Sequence, residues 1–125
     1  MREIKFKGIL PDYSPNSYVV GLLDFSQQEV FLFTGRGFYR GPFKKAKLMQ
    51  YIGLKDKNGR DIYHKDLVKC LLRDGEEKYG VVEWNENDLQ WQVELRGGFV
   101  PFSEIKEVEV VGNVEEDPNF LKKVR

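Results

Sequence analysis

The chain has 125 residues, of which 41% are hydrophobic and 32% charged, so it is long enough for its own core and too apolar to be disordered. A single cysteine excludes an internal disulfide and a zinc site built from cysteines. No apolar run approaches the roughly 20 residues that span a bilayer, and the opening residues have no signal-peptide core. The sequence therefore predicts a cytoplasmic protein without a membrane partner.

The charges are unevenly distributed along the chain. Residues 1–60 hold eleven basic and five acidic side chains, whereas residues 61–125 hold nine and fifteen. This asymmetry has two interpretations: a basic surface for phosphates or an acidic partner, or a basic half that faces the acidic half of the same chain or of a second copy.

The first part of the chain reads as strands and turns. Alternation of apolar and charged residues predicts a strand over residues 3–9, and two apolar runs at residues 18–25 and 29–34 predict a hairpin. Residues 35–46 contain three glycines and a proline, which predicts an exposed, mobile loop that joins two parts of the chain.

The second part is denser in turn signals. Asn58-Gly59 and Asp74-Gly75 predict turns between short strands, and Asp117-Pro118 predicts the start of a short helix that ends near residue 123. The predicted strands cover residues 48–52, 61–63, 67–72, 78–84, 89–95 and 105–114. Their core candidates are Tyr79, Val81 or Val82, Trp84, Leu89, Trp91, Val93 and Leu95. Many short strands separated by polar turns predict an all-β protein, either a small barrel or a sandwich.

The stretch LMQYIGLKDKNGRDIYHKDLV at residues 48–68, with the opening MREIKF and the later EVVGNVEEDPNFL, resembles the YopX family of small phage and prophage proteins. The resemblance implies an SH3-like β-barrel, which we expect over residues 48–125. Residues 16–47 carry no family motif, and we expect the N-terminal strands and basic loop of residues 1–47 to pack on the barrel. It implies no known biochemical role and no catalytic residues. The residues that match the family pattern look structural: Gly53, Asp56, Gly59, Ile62, Tyr63, Asp66 and Val68. Lys65 stands where the family usually has glycine, so a turn that needs a positive φ would be strained there.

Few residues suggest catalysis or metal binding. His64 and Cys70 are the only histidine and cysteine, and a buried structural role suits Cys70 better than zinc binding. A calcium loop starting at Asp56 fails because Arg60 and Leu67 occupy its fifth and twelfth positions. We therefore expect no metal, no cofactor and no enzyme activity.

Cations alternate with aromatic residues between residues 36 and 47. The candidate binding residues are Arg36, Phe38, Tyr39, Arg40, Phe43, Lys44, Lys45 and Lys47. Such a segment can neutralise phosphates and stack on bases, although the pI of about 6.6 is low for a nucleic-acid-binding domain. Alternatively, the aromatic residues pack on the barrel or on a neighbouring subunit. The sequence thus predicts a non-catalytic accessory or protein-interaction module, including self-association, with nucleic-acid binding through residues 36–47 as the alternative.

Overall fold

The structure is a computed structural model that describes residues 3–124. Met1 and Arg2, which open the family-like motif, and Arg125 lie outside the described residues. The chain forms two compact units, an N-terminal unit that ends at Tyr51 and a C-terminal unit that begins at Ile52. The boundary falls inside strand β5, Lys47–Lys55.

Besides the first half of β5, the N-terminal unit contains the strands β1 Phe6–Ile9, β2 Tyr18–Asp24, β3 Glu29–Phe33 and β4 Phe38–Pro42. They form an antiparallel sheet in the order β4-β3-β2-β1-β5. The predicted hairpin is confirmed, because β2 and β3 pair from Val19 opposite Phe33 to Asp24 opposite Glu29. The core of this unit covers one face of the sheet and is centred on Leu10, Val30 and Leu32, all 3% exposed or less.

The prediction of a mobile loop at residues 35–46 is wrong. Residues 38–42 form the edge strand β4, and Phe43–Lys45 form a short 3₁₀ helix. The glycines serve this structure: Gly35 takes a φ of 89° in the turn that is closed by the Thr34 amide donating to the Gly37 carbonyl. Gly41 is buried, and a β-carbon there would collide with the Leu10 side chain. Glycine thus marks a tight turn and a close packing contact here, not disorder.

Besides the second half of β5, the C-terminal unit contains the strands β6 Asp61–Tyr63, β7 Asp66–Leu72, β8 Glu77–Asn85, β9 Gln90–Leu95, β10 Gly98–Pro101 and β11 Ile105–Asn113, followed by helix α1 Phe120–Val124. Strand β6 pairs with β5, and the other five form an antiparallel sheet in the order β10-β9-β8-β7-β11. The sequence missed β10, and the helix begins three residues after the predicted Asp117. The core of this unit consists of Ile52, Ile62, Val68, Cys70, Val82, Val93, Ile105 and Val110.

The all-β class is therefore confirmed. The SH3-like barrel is not confirmed, because neither sheet closes on itself within residues 3–124. Of the core candidates on β8 and β9, Val81, Val82 and Val93 are buried. Trp84 and Leu89 are exposed instead, since they lie at and beyond the ends of the paired strands.

Two aspartates of the family pattern organise the C-terminal unit. Asp56 accepts amide hydrogen bonds from Asn58 and Arg60 in its own turn, each 2.9 Å, and a third from Val110 at 2.9 Å. Asp66 accepts the Tyr63 amide at 2.8 Å and the Asn113 side-chain amide at 2.9 Å. The bond from Val110 to Asp56 and the bond from Asn113 to Asp66 join segments about fifty residues apart. This supports a structural role for the residues that match the family pattern.

Candidate binding surfaces

The face of the N-terminal sheet opposite its core is apolar, and we call it the outer face. It is exposed from β2 to β4, whereas on β5 the residue opposite Lys7, Met49, is 1% exposed. Side chains directly opposite on paired strands share a face, so the register defines two rows. One row runs Lys7, Val19, Phe33, Phe38 across four strands, and the next runs Leu22, Phe31, Arg40. Val19, Leu22, Phe33 and Phe38 are 58, 51, 53 and 58% exposed. Four large apolar side chains, each more than half exposed on one face, form an apolar patch of the kind that marks a binding site.

The Phe33 ring lies flat on this face. Its Cε1, Cζ and Cε2 atoms are at nearly equal distances, each under 3.0 Å, from the place that a Gly21 β-carbon would occupy. Near-equal distances put the ring face, not its edge, over the glycine. Gly21 sits at the β2 register shift between Val20 and Leu22. The glycine thus makes room for the ring, whose other face is turned away from the sheet.

Two of the predicted binding residues point to the core side instead. Tyr39 stacks on Tyr13, with centroids 5.2 Å apart, and meets Tyr18 edge-on at 5.6 Å. Phe43 packs on the Leu10 cluster and meets Phe25 at 5.5 Å. These two side chains therefore pack within the protein, which is the alternative to ligand binding that the sequence allows, and neither has a free ring face.

The predicted cations are divided between two places. Arg36 lies in the β3–β4 turn and Arg40 on the outer face, where its guanidinium pairs with Glu29 at 3.1 Å and stands 6.0 Å from the Phe31 ring centroid. Lys45 pairs with Asp12 at 3.3 Å. Lys44 on the 3₁₀ helix and Lys47 at the start of β5 are exposed. The structure therefore brings Arg36, Phe38 and Arg40 together on one hairpin and places the three lysines after it.

A second exposed feature is the tip of the β8–β9 hairpin, residues 86–89. Gln92, 2% exposed, accepts a hydrogen bond from the Asn85 side-chain amide at 2.8 Å and donates one to Asp88 at 2.9 Å. The Asn85 side-chain oxygen also accepts the Asn87 amide at 2.9 Å. Leu89 ends this tip with a φ of 52° and is 69% exposed.

The β2–β3 turn has the same design with a different last residue. Asp24 accepts the Ser26 and Gln27 amides there, and the Ser26 hydroxyl with the Gln27 amide lowers the pKa of Asp24. The last residue, Gln28, has a φ of 55°. A polar residue thus fills the left-handed position in one hairpin, and an exposed leucine fills it in the other.

A charged cluster surrounds Glu83 on β8. Its Oε1 lies 2.6 Å from the Lys65 Nζ and 3.5 Å from the His64 Nε2. Burial alone would raise the pKa of Glu83, but the hydrogen bonds and charges of His64 and Lys65 outweigh it and lower the pKa. Lys65 has a φ of 71°, so the chain keeps the left-handed turn although it lacks the glycine of the family pattern.

Residues 3–124 contain no group of three or more His, Cys, Asp or Glu side chains arranged to hold a metal ion. Cys70 lies in the core of the C-terminal unit, and its burial raises the pKa of the thiol to about 12. None of the helices in this part of the chain is both long and apolar enough to cross a membrane.

Comparison with known proteins gives a family and a fold. The family model described as YopX protein matches residues 24–122. The crystal structure of protein EF1440 from Enterococcus faecalis superposes with a TM-score of 0.65, covering 97% of this chain and 99% of that one at 20% identity. At that identity the likeness shows the fold alone. No curated protein matches the sequence.

Proposed function

We propose that this chain, which belongs to the YopX family, is a non-catalytic accessory protein of a phage or prophage that binds a protein partner through the tip of the β8–β9 hairpin. The observation that carries the proposal is Leu89. A residue with a β-carbon costs roughly 1–2 kcal/mol in the left-handed region, where glycine and asparagine are favoured. An exposed leucine there adds strain without adding burial, and contact with another molecule explains its presence.

The tip is suited to present this side chain. The hydrogen bonds that join Asn85, Gln92 and Asp88 fix the backbone before any partner arrives, so little conformational entropy is lost on binding. Glu86 and Asp88 flank the leucine with negative charge. The partner that fits is a protein with an apolar pocket for Leu89 and basic residues around it.

Substitution of Leu89 by asparagine tests this role. Asparagine tolerates the left-handed backbone and removes the apolar anchor, so L89N is expected to be as stable as the wild type or slightly more stable. Leu54→Asn is the matched control, because Leu54 is an exposed leucine on β5 of the same unit. A partner protein that is retained by the wild type and L54N should, once purified, bind L89N at least about 30-fold more weakly, as expected for an interface hot spot. Equal affinity for L89N would refute the proposal.

The mass in solution decides whether that partner is a second copy. Self-association through this tip predicts a mass that rises with concentration for the wild type and L54N and stays that of one chain for L89N. A mass that rises equally for all three proteins would place self-association on another surface and count against the tip.

Nucleic-acid binding is the second candidate function. It is favoured by the accessible Phe38 ring beside Arg36 and Arg40 on the β3–β4 hairpin, although Tyr39 and Phe43 of the predicted segment are turned to the core side. The binding surface would therefore include only part of the predicted segment, residues 36–47.

A further inference from the structure

The outer face offers two aromatic rings to solvent at adjacent positions. Phe33 and Phe38 are directly opposite on β3 and β4, so their β-carbons are about 5 Å apart. Phe33 rests on Gly21 with one ring face and is 53% exposed, whereas the Phe38 ring is 58% exposed and meets the Phe31 ring at a centroid distance of 5.6 Å. A planar ring held flat on a sheet, with its outer side exposed, is a geometry on which a nucleobase stacks.

Three cations lie on this face or in the turn at its edge. Lys7 lies in the same row on β1, Arg36 lies in the turn between Phe33 and Phe38, and Arg40 lies across from Phe31. Glu29 is the acid in contact with Arg40, and their ion pair positions the guanidinium beside Phe31. Residues 1–51 carry eight basic and four acidic side chains, against twelve and sixteen in residues 52–125. The rings therefore lie in the unit whose charge suits a polyanion.

We infer that the outer face of the N-terminal sheet binds single-stranded nucleic acid, with Phe33 and Phe38 as stacking surfaces for bases and Lys7, Arg36 and Arg40 as phosphate contacts. The inference rests on the second candidate function and moves its centre from the segment 36–47 to the sheet face. Exposed ring faces favour a single strand over a duplex, because the bases of a duplex are already stacked on one another.

Fluorescence anisotropy tests the inference. It measures the affinity of the protein for labelled oligothymidine and oligouridine of about 12 nucleotides, and for a labelled duplex of the same length as a comparison. The single strands should bind more tightly than the duplex at about 50 mM salt. Three phosphate contacts predict a log–log salt slope near −2, which is about 20-fold weaker binding at about 200 mM salt.

Leucine substitutions test the rings, because leucine keeps apolar volume and removes the planar face. F33L and F38L should each weaken single-strand binding by about 5- to 150-fold. The matched control is Phe25→Leu, since Phe25 is an exposed aromatic residue in the β2–β3 turn, away from this face. F25L should bind as the wild type does, and thermal unfolding should show that all three variants are folded.

Gly21→Ala tests the position of the ring without removing any aromatic group. The added methyl group would occupy the space beneath the Phe33 ring and displace it, so G21A should weaken binding by about 5-fold or more. Unchanged affinity of folded F33L and F38L would overturn the inference whatever G21A does.

A triple variant separates the failure of the inference from the failure of the underlying function. K44A/K45A/K47A removes the lysines that follow the hairpin, and it should keep the single-strand affinity within a few fold. If this variant loses binding while F33L and F38L retain it, or if the duplex binds more tightly, nucleic-acid binding stands and the outer-face site is wrong. If no polynucleotide binds at about 50 mM salt, both are wrong, and the apolar face is left to a protein partner.

Discussion

Removal of the Asp56 carboxylate is expected to destabilise the C-terminal unit severely. The side chain is 6% exposed and accepts three backbone amide hydrogen bonds at 2.9 Å. Two of the donors, Asn58 and Arg60, belong to the exposed turn that precedes β6. The third, Val110, belongs to β11 and is itself buried. Asp56 therefore joins a turn to a strand that follows it by more than fifty residues.

The magnitude follows from what each donor can do without the carboxylate. Hydrogen bonds to a charged acceptor contribute about 1.5–3 kcal/mol, and a buried donor left without an acceptor costs about 1–3 kcal/mol. The turn amides can reach water in Asp56→Ala, whereas the Val110 amide cannot. We therefore expect D56A to lower the free energy of unfolding by about 3 kcal/mol, which corresponds to roughly 10 °C in Tm for a chain of this size.

Urea denaturation followed by circular dichroism measures this loss. The matched control is Asp74→Ala, because Asp74 accepts a single amide hydrogen bond, from Glu76, in an exposed turn. D74A should cost less than about 1 kcal/mol. A D56A protein within about 0.5 kcal/mol of the wild type would refute the argument that Asp56 holds β11 to the turn.

The contribution of Asp56 to stability should depend on pH in a defined direction. Burial alone would raise the pKa of Asp56, but the hydrogen bonds from Val110, Arg60 and Asn58, with the charge of Arg60, lower it below its ordinary value near 3.8. A carboxylate with a lowered pKa contributes stability above its unfolded-state pKa and loses it as the pH falls through the folded-state pKa. The stability difference between the wild type and D56N should therefore be constant above about pH 5 and shrink as the pH falls below about 4. A difference that grows on acidification would contradict this assignment.

Two further predictions concern the β6–β7 turn and the core. Lys65 has a φ of 71°, so its backbone is strained. Both K65G and K65A lose the ion pair with Glu83, but only glycine removes the strain, so K65G should have a free energy of unfolding in urea about 1 kcal/mol higher than that of K65A. Equal urea midpoints for the two variants would contradict the strain. Because burial raises the pKa of Cys70 to about 12, the thiol should not react with a disulfide reagent at about pH 8 until the protein unfolds, and rapid native-state reaction would contradict its burial.

Much of the strand pattern is predictable from the sequence because turns and alternation are local signals. Asn58-Gly59 and Asp74-Gly75 form turns in which both glycines take a positive φ, as the sequence predicts. Strands β2, β3, β7 and β11 lie within two residues of their predicted bounds. The sequence does not predict strand β10, because the pair Gly97-Gly98 signals a turn, whereas only Arg96 and Gly97 form the turn after β9 and Gly98 is the first residue of the four-residue strand.

The segment from 35 to 46 shows where local signals fail. This segment is as rich in glycine as a flexible loop. No local pattern in the sequence indicates that Leu10 packs against Gly41 or that Phe38 pairs with Phe33. Strand β4 therefore depends on tertiary contacts, namely the pairing to β3 on one side and the packing of Tyr39 and Phe43 against Tyr13, Tyr18 and the Leu10 cluster.

The same contacts decide which aromatic residues are available to a ligand. Alternation in β3 assigns Phe31 and Phe33 to one face and Val30 and Leu32 to the other, but it does not say which face is covered. That choice is made by Leu10, whose burial closes the face that carries Val30 and leaves Phe33 outside. Composition alone ranked Tyr39 and Phe43 beside Phe38 as binding residues. The strand register places Phe38 on the outer face and Tyr39 on the core side, and Phe43 follows on the 3₁₀ helix and packs on the Leu10 cluster. A binding site on a sheet is therefore set by strand register, and a slip of β4 by one residue would bring Tyr39 to the outer face and Phe38 to the core side.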